Sequence, residues 1–300
     1  MRLFCRGGPN TKPKRICQEY DQVSTLSQHS RYWKNSDDSG SLEPVWPHEP
    51  DIDVTRKLAI ACLPPDLFAD AKIGFFAQGS FHRVYYISSG LTAVKYLMRV
   101  ALPVDPFFKT ESEVATMEYI RRHSSIPVPR VVAYASSASN ELGLEWILME
   151  KVDGVPLDRV WDDMTFNAKT KFTVAFAGYM KQLRELQFPL FGSIYFVDIW
   201  NQVGYTPIRL ANDHPPSSKA LSGDIGINDS FVIGRIVSTR FFRDKRLLLH
   251  AHRGPFETTH QLLMAETDLL GRRIRHLSPE PGADYYCEVD EASQMTVPRC

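Results

Sequence analysis

The sequence predicts an α+β protein: a small antiparallel sheet carrying one inserted helix, followed by a helical lobe that is incomplete. Three observations carry this. Short apolar runs bounded by turn residues crowd the stretch up to residue 152. One segment among them, Thr110 to Arg122, has helical periodicity. Beyond Asp153-Gly154 the periodicity is helical in two long stretches, Ala168 to Leu186 and Glu257 to Leu277. The chain has 300 residues and is 43% hydrophobic, enough for one large domain or two lobes.

In order, residues 1–50 are polar, end in a Pro-rich stretch (Pro44, Pro47, Pro50), and read as a disordered tail. The first 17 residues hold five basic residues and no acid, a weak match to a mitochondrial presequence that Gly7, Gly8, Pro9 and Pro13 interrupt. Residues 51–152 form the sheet lobe. It opens with a helix over Val54 to Leu63, stopped by Pro64-Pro65. Strands are expected at Gly74 to Gln78, Val84 to Ser88 and Thr92 to Leu102, with turns at Gly79-Ser80 and Ser89-Gly90. The helix from Thr110 places Val114, Met117 and Ile120 on one face, and Thr110 with Glu113 reads as a capping box. Strands at Val131 to Ala135 and Leu144 to Val152 complete a five-stranded sheet. Residues 153–277 are a partial helical lobe. Phe172, Ala175, Phe176, Tyr179, Met180, Leu183 and Leu186 form the stripe of its first long helix; Leu262, Leu263, Leu269, Leu270 and Ile274 point inward from its last. Residues 207–230 read as a loop, Phe231 to Leu249 has no assignable period, and residues 278–300 read as unstructured.

Composition excludes several classes. Lys plus Arg equals Asp plus Glu, 35 each, so no bulk field favours nucleic acid or an acidic membrane. No apolar run approaches the roughly 18 residues of a membrane span. Cys5, Cys17, Cys62, Cys287 and Cys300 have neither zinc-ligand spacing nor the look of a disulfide framework, and read as reduced thiols of an intracellular protein, cytoplasmic or mitochondrial.

Four features could carry chemistry. The turn at Gly79 and Ser80, between two strands, would let backbone N–H groups approach phosphates, although a glycine in a hairpin also serves simply as a turn. Lys95 and Arg99 lie on one face of the next strand, roughly 13 Å apart at about 3.3 Å per residue. A kinase uses one such cation to neutralise nucleotide phosphates; the alternative is a solvated basic face. Glu113 is placed to hold that cation, or to cap its own helix. Met149, Glu150 and Val152, at the end of the last strand, would offer backbone groups to an adenine edge, or be an ordinary buried strand.

The strings FAQGSFHRVYYI, MRVALPVDPFFKTESEVATMEYIR, IPVPRVVAY, WILMEKVDGVPLDRVWDDM and FGSIYF resemble the aminoglycoside phosphotransferase family, in its fungal branch related to the altered inheritance of mitochondria proteins. The resemblance runs from about Asp51 to Leu277. It implies a protein-kinase-like fold, ATP-dependent phosphoryl transfer to a hydroxyl acceptor, and Mg²⁺. It matches Gly79 and Ser80 to the family's glycine turn, Arg99 to its phosphate-binding cation, Glu113 to its helix glutamate, and Met149, Glu150 and Val152 to its hinge. The acceptor implied is a small-molecule hydroxyl, with a protein as the alternative.

The family's His-x-Asp-x-x-x-x-Asn loop, which supplies the base and a metal ligand, has no counterpart here. No His-x-Asp occurs in the 300 residues, and Asp162 with Asn167 has the right spacing but Val160 where the histidine belongs. A chain without base and metal ligands is expected to be inactive, since a positioned base alone contributes about 10²–10⁴-fold. The expectations are therefore a chain truncated before its catalytic loop, a pseudokinase-like module binding nucleotide or a partner, or a product without independent function. Helices lacking their neighbours should expose apolar faces.

Overall fold

The computed structural model describes residues 12–16, 32–35, 42–202, 208–209 and 231–277. Its main sheet has six strands in the order β1 (Lys14–Arg15), β7 (Val131–Ala135), β8 (Glu145–Glu150), β6 (Tyr96–Ala101), β5 (His82–Ser88) and β4 (Lys72–Gln78). β4, β5 and β6 form the expected meander, and β8 lies antiparallel between β6 and β7. The sixth strand departs from the expected five. β1 comes from the stretch read as a tail and pairs parallel with β7. Two residues carry no periodicity; what seats them is an ion pair, Arg15 Nε lying 2.7 Å from Glu111. Also within that stretch, β2 (Trp33–Asn35) and β3 (Leu42–Pro44) pair with each other, and Trp33 packs against Leu102 and Phe242.

Side chains alternate across the sheet. One face presents Tyr85, Ile87, Tyr96, Met98, Trp146 and Leu148 to α1 (Ile52–Ile60) and α2 (Pro65–Phe68). Asp51 caps α1, its carboxylate accepting from the backbone N–H groups of Asp53 and Val54 at 2.9 and 3.0 Å. Cys62 is buried here; the other four cysteines lie outside the described residues.

The other face is covered by α3 (Phe108–His123). A second sheet, β10 (Ile208–Arg209), β11 (Phe231–Gly234) and β9 (Ser193–Phe196), packs on the far side of α3. Phe107, Phe108, Val114 and Tyr119 thus share one core with Tyr134 and Ile147 of the first sheet and Tyr195, Phe196 and Phe231 of the second. β9 and β11 approach so closely that a Cβ on Gly192 would stand 2.3 Å from the Gly234 carbonyl oxygen, so only glycine fits.

A helix enclosed on two sides must bury polar residues, and these find partners. Glu111 is fully buried and accepts from the hydroxyls of Tyr134 (2.9 Å) and Ser136 (2.5 Å). The expected capping box does not form. α3 begins two residues earlier, and Thr110 is buried with its hydroxyl bonded to Glu145 of β8. The chain enters α3 through a γ-turn: Phe107 has φ 68° and ψ −62°, and the Phe108 N–H donates to the Pro106 carbonyl at 2.8 Å. The Phe107 N–H donates to Glu145 at 2.7 Å, which holds that strained residue in place. Asp105, just upstream, accepts from Arg235 at 2.7 and 2.8 Å and ties the turn to the segment after β11.

The helical lobe differs most from expectation. α4 (Phe166–Glu185) forms where the periodicity places it, yet it has no buried residue, and Phe176 is 53% exposed. In α7 (Thr259–Leu277), Leu269 is buried and Leu262 packs beside Phe241 and Phe256. Leu263, Leu270 and Ile274, expected inward, are exposed, Leu263 by 51%. A stripe at helical spacing specifies which residues share a face, not what covers that face. α5 (Val197–Gln202) follows β9, and α6 (Thr239–Phe242) and a 3₁₀ turn over Arg243–Leu248 fill the segment without a period. Apart from residues 208–209, the loop expected at 207–230 lies outside the described residues, as does the expected tail 278–300. No helix of the described residues is long and apolar enough to cross a membrane.

Burial raises the Glu145 carboxyl to about 8, against the bonds from Thr110 and Phe107. The folded chain then holds a proton that the unfolded chain releases above the ordinary carboxylate range. This contribution to stability is full at acid pH and is lost as pH rises through about 8. Denaturant titrations across pH should show that loss in the wild type and not in Glu145→Gln. Glu145→Ala should cost about 1–3 kcal/mol at neutral pH by orphaning the Phe107 N–H. In α4, Phe176→Ser should change stability by less than about 0.5 kcal/mol. Buried Phe241→Ala should cost roughly 3–5 kcal/mol, and equal losses would show α4 to be covered.

Candidate functional site

Register assembles three rows on the sheet face that meets α3, reading across β5, β6 and β8. Tyr86, Leu97 and Met149 form an apolar row. Val84, Arg99 and Ile147 form a second, with a cation at its centre. His82, Ala101 and Glu145 form a third. The first row lies at the end where β8 leaves the sheet, the third beside the turn that contains Gly79 and Ser80. By strand rise the two rows are about 13 Å apart, and Arg99 sits between them. Phe76 stacks on Tyr86 (centroids 6.4 Å apart) and extends the apolar row outward.

From α3, Glu113 reaches this face, its Oε2 lying 2.6 Å from Arg99 Nη2. The two expected partners are therefore brought together. The contact is a close ion pair through Nη2, and among the described residues the buried Nε of Arg99 has no hydrogen-bond partner. Lys109, one turn earlier on α3, has its Nζ 3.8 Å from the same carboxylate and 2.6 Å from His82 Nε2. Burial would raise the Glu113 carboxyl, but Arg99 and Lys109 outweigh it and hold it below the usual range. Burial, then Lys109 and Arg99, lower the His82 imidazole to about 3, so it is neutral at physiological pH. Burial also lowers Lys109, against the pull of Glu113.

The remaining candidates are dispersed around this cluster. Gly79 and Ser80 are exposed in the turn leading directly into His82, and the Gly79 N–H donates to the His82 carbonyl at 2.9 Å. A Cβ on Gly79 would meet nothing within 4 Å, so the turn is open on that side. Lys95 is not part of the cluster: it is exposed just before β6, and its carbonyl accepts the Lys151 N–H at 2.9 Å. Met149 is buried in the apolar row. The Glu150 N–H donates to the Arg130 carbonyl, and its side chain pairs with Arg130 at 2.8 Å. Val152 lies past the strand and is exposed.

Lys109 and His82 were not singled out from the sequence. The signal was present: Lys109 stands four residues before Glu113, a helical neighbour spacing, and His82 follows the glycine turn within the same string. Glu145 had no signal, because nothing local marks a strand glutamate as buried. Among the described residues no group of three or more His, Cys, Asp or Glu is arranged to hold a metal ion. Two cavities of about 360 Å³, one beside His250 and Arg272 and the other beside Phe188 and Leu262, share no residue with this cluster.

Residues 72–201 match the phosphotransferase enzyme family. A subtelomeric hrmA-associated cluster protein of Aspergillus fumigatus is 28% identical over 185 residues, 61% of this chain and 32% of that protein. Altered inheritance of mitochondria protein 9, mitochondrial, is 27% identical in Candida albicans over 204 residues, 63% of this chain and 31% of that protein. Its namesake in Meyerozyma guilliermondii is 35% identical over 126 residues, 40% of this chain and 20% of that protein. The chain thus spans about a third or less of the length of these relatives. No solved structure matches it. The segment bearing the glycine turn, Arg99, Glu113 and the end of β8 is accordingly a domain of the phosphotransferase enzyme family, in a chain similar to the fungal proteins named for altered inheritance of mitochondria.

Proposed function

We propose that this face binds a nucleoside triphosphate, as the nucleotide-binding half of a phosphotransferase. The polyphosphate would lie at Arg99 and the glycine turn, the base against Leu97 and Met149 beside Val152. The observation that carries the reading is Arg99. Its guanidinium is held through Nη2 at 2.6 Å by Glu113, while among the described residues its buried Nε has no hydrogen-bond partner. An unmet donor on a buried cation is costly, and a phosphate oxygen would satisfy it in the forked geometry that suits arginine. The open turn at Gly79 and the apolar row at the other end of β6 support the same polarity for the ligand.

The reading assigns this chain the binding step. The 300 residues contain no His-x-Asp sequence, and no step is routed through a metal ion. In the longer relatives the acceptor would be met by residues outside this face, and its class is left to them. A mitochondrial setting is favoured by the printed names of several relatives and by the basic first 17 residues.

Titration calorimetry with ATP tests this. Arg99→Ala should weaken binding by about tenfold or more, the loss of one charge-assisted contact, whereas Lys95→Ala should change it by less than about twofold. Equal losses would overturn the choice of cation. Incubated with ATP and Mg²⁺, the chain should hydrolyse or transfer no more phosphate than Arg99→Ala does. Turnover that Arg99→Ala abolishes would overturn the restriction to binding.

A further inference from the structure

We propose that Lys109, backed by His82, is a second phosphate-binding residue of this site, acting beside Arg99 from the first turn of α3. The inference rests on reading this face as a polyphosphate site, but not on the base being adenine.

The geometry is unusual for a lysine that only packs. A largely buried ammonium is normally neutralised by a carboxylate. The nearest partner of Lys109 is instead the neutral His82 imidazole, at 2.6 Å, while Glu113 stands off at 3.8 Å and is already engaged by Arg99 at 2.6 Å. One carboxylate therefore serves two cations and an imidazole. The other acids facing Lys109 add little. Glu145, on β8, holds its proton to about pH 8. Asp105, before α3, is engaged bidentately by Arg235. The Lys109 side chain keeps 12% of its surface, between the 18% of Arg99 and the turn that leads into His82. An oxyanion placed against Arg99 would find the ammonium in the same opening and supply the missing negative charge.

This arrangement has a signature that a packing role lacks. Without an anion, burial and Arg99 disfavour the Lys109 charge, and Glu113, Glu145 and Asp105 restore part of it. A bound anion stabilises the charge, so binding draws a proton onto Lys109 once the free lysine begins to lose it. Affinity must then fall as pH rises through a range below that of an ordinary lysine. Arg99 stays charged throughout that range and contributes no such slope.

The experiment measures ATP affinity of the full chain by calorimetry from about pH 7 to about pH 10, with circular dichroism confirming that each variant is folded. Wild type should lose about tenfold in affinity across the range and take up protons on binding at its upper end. Lys109→Met should bind about tenfold more weakly at neutral pH, with a shallower profile that keeps only the slope from Glu145 ionising near pH 8. Lys109→Arg, charged at every pH used, should keep the affinity and show the same shallower profile. The same variants are compared for the rise in melting temperature that sulfate gives over chloride at equal ionic strength, since the charge of sulfate is constant here. If ATP does not bind but sulfate stabilises wild type more than Lys109→Met, with the excess fading as pH rises, the nucleotide reading falls and Lys109 stands. If ATP binds with wild type and Lys109→Met alike in affinity and slope, Lys109 falls and the nucleotide reading stands. If neither ligand distinguishes wild type from Lys109→Met, the proposal is overturned.

Discussion

The enclosure of α3 between two sheets is the constraint on which the rest depends. A helix with one covered side can turn its charges to water. This one has sheet on both sides, and its acidic residues must meet cations or hydroxyls inside. Glu111 meets Arg15, Tyr134 and Ser136; Glu113 meets Arg99 and Lys109. Glu145 supports the turn that starts the helix from below, through Phe107 and Thr110. These contacts tie α3 to β1, β6, β7 and β8, so the helix cannot shift without breaking several buried polar contacts at once. The position of Glu113 over Arg99 is a consequence of that fixation.

The N-terminal segment belongs to the same system. Arg15 reaches Glu111 from β1 and lies over the Phe107 ring, while Lys12 pairs with Asp198 at 2.9 Å and lies over the Phe196 ring. A five-residue stretch thereby touches the first sheet, α3 and the second sheet. Its cations cover aromatic faces as well as carboxylates, which lets a short segment hold its place with little backbone pairing.

The two sides of the domain differ in how they are finished. Around α3 large aromatics are sealed: Phe107, Phe196, Phe231 and Tyr195 have almost no exposure. Along α4 the aromatics Phe166, Phe172 and Phe176 meet solvent. The contrast follows from neighbours, not from composition, since both helices carry apolar residues at helical spacing. The family match, 72–201, takes in both the sealed and the open parts.

The sequence by itself determined the alternation of strands and helices, the order of the meander, and the positions of α4 and α7. These follow from local periodicity, turn residues and spacing, which neighbours in the chain set among themselves. Between Lys95 and Arg99 the sequence left two cations on one face; in the fold only Arg99 lies opposite Val84 and beside Glu113 of α3. Tertiary structure alone decided the sixth strand, the start of α3 at Phe108 in place of a Thr110 cap, and the burial of Glu145. It alone gathered His82 and Lys109 beside Arg99. Each of these depends on a partner far along the chain, Arg15 with Glu111 or Thr110 with Glu145, and no local pattern encodes a partner at that distance.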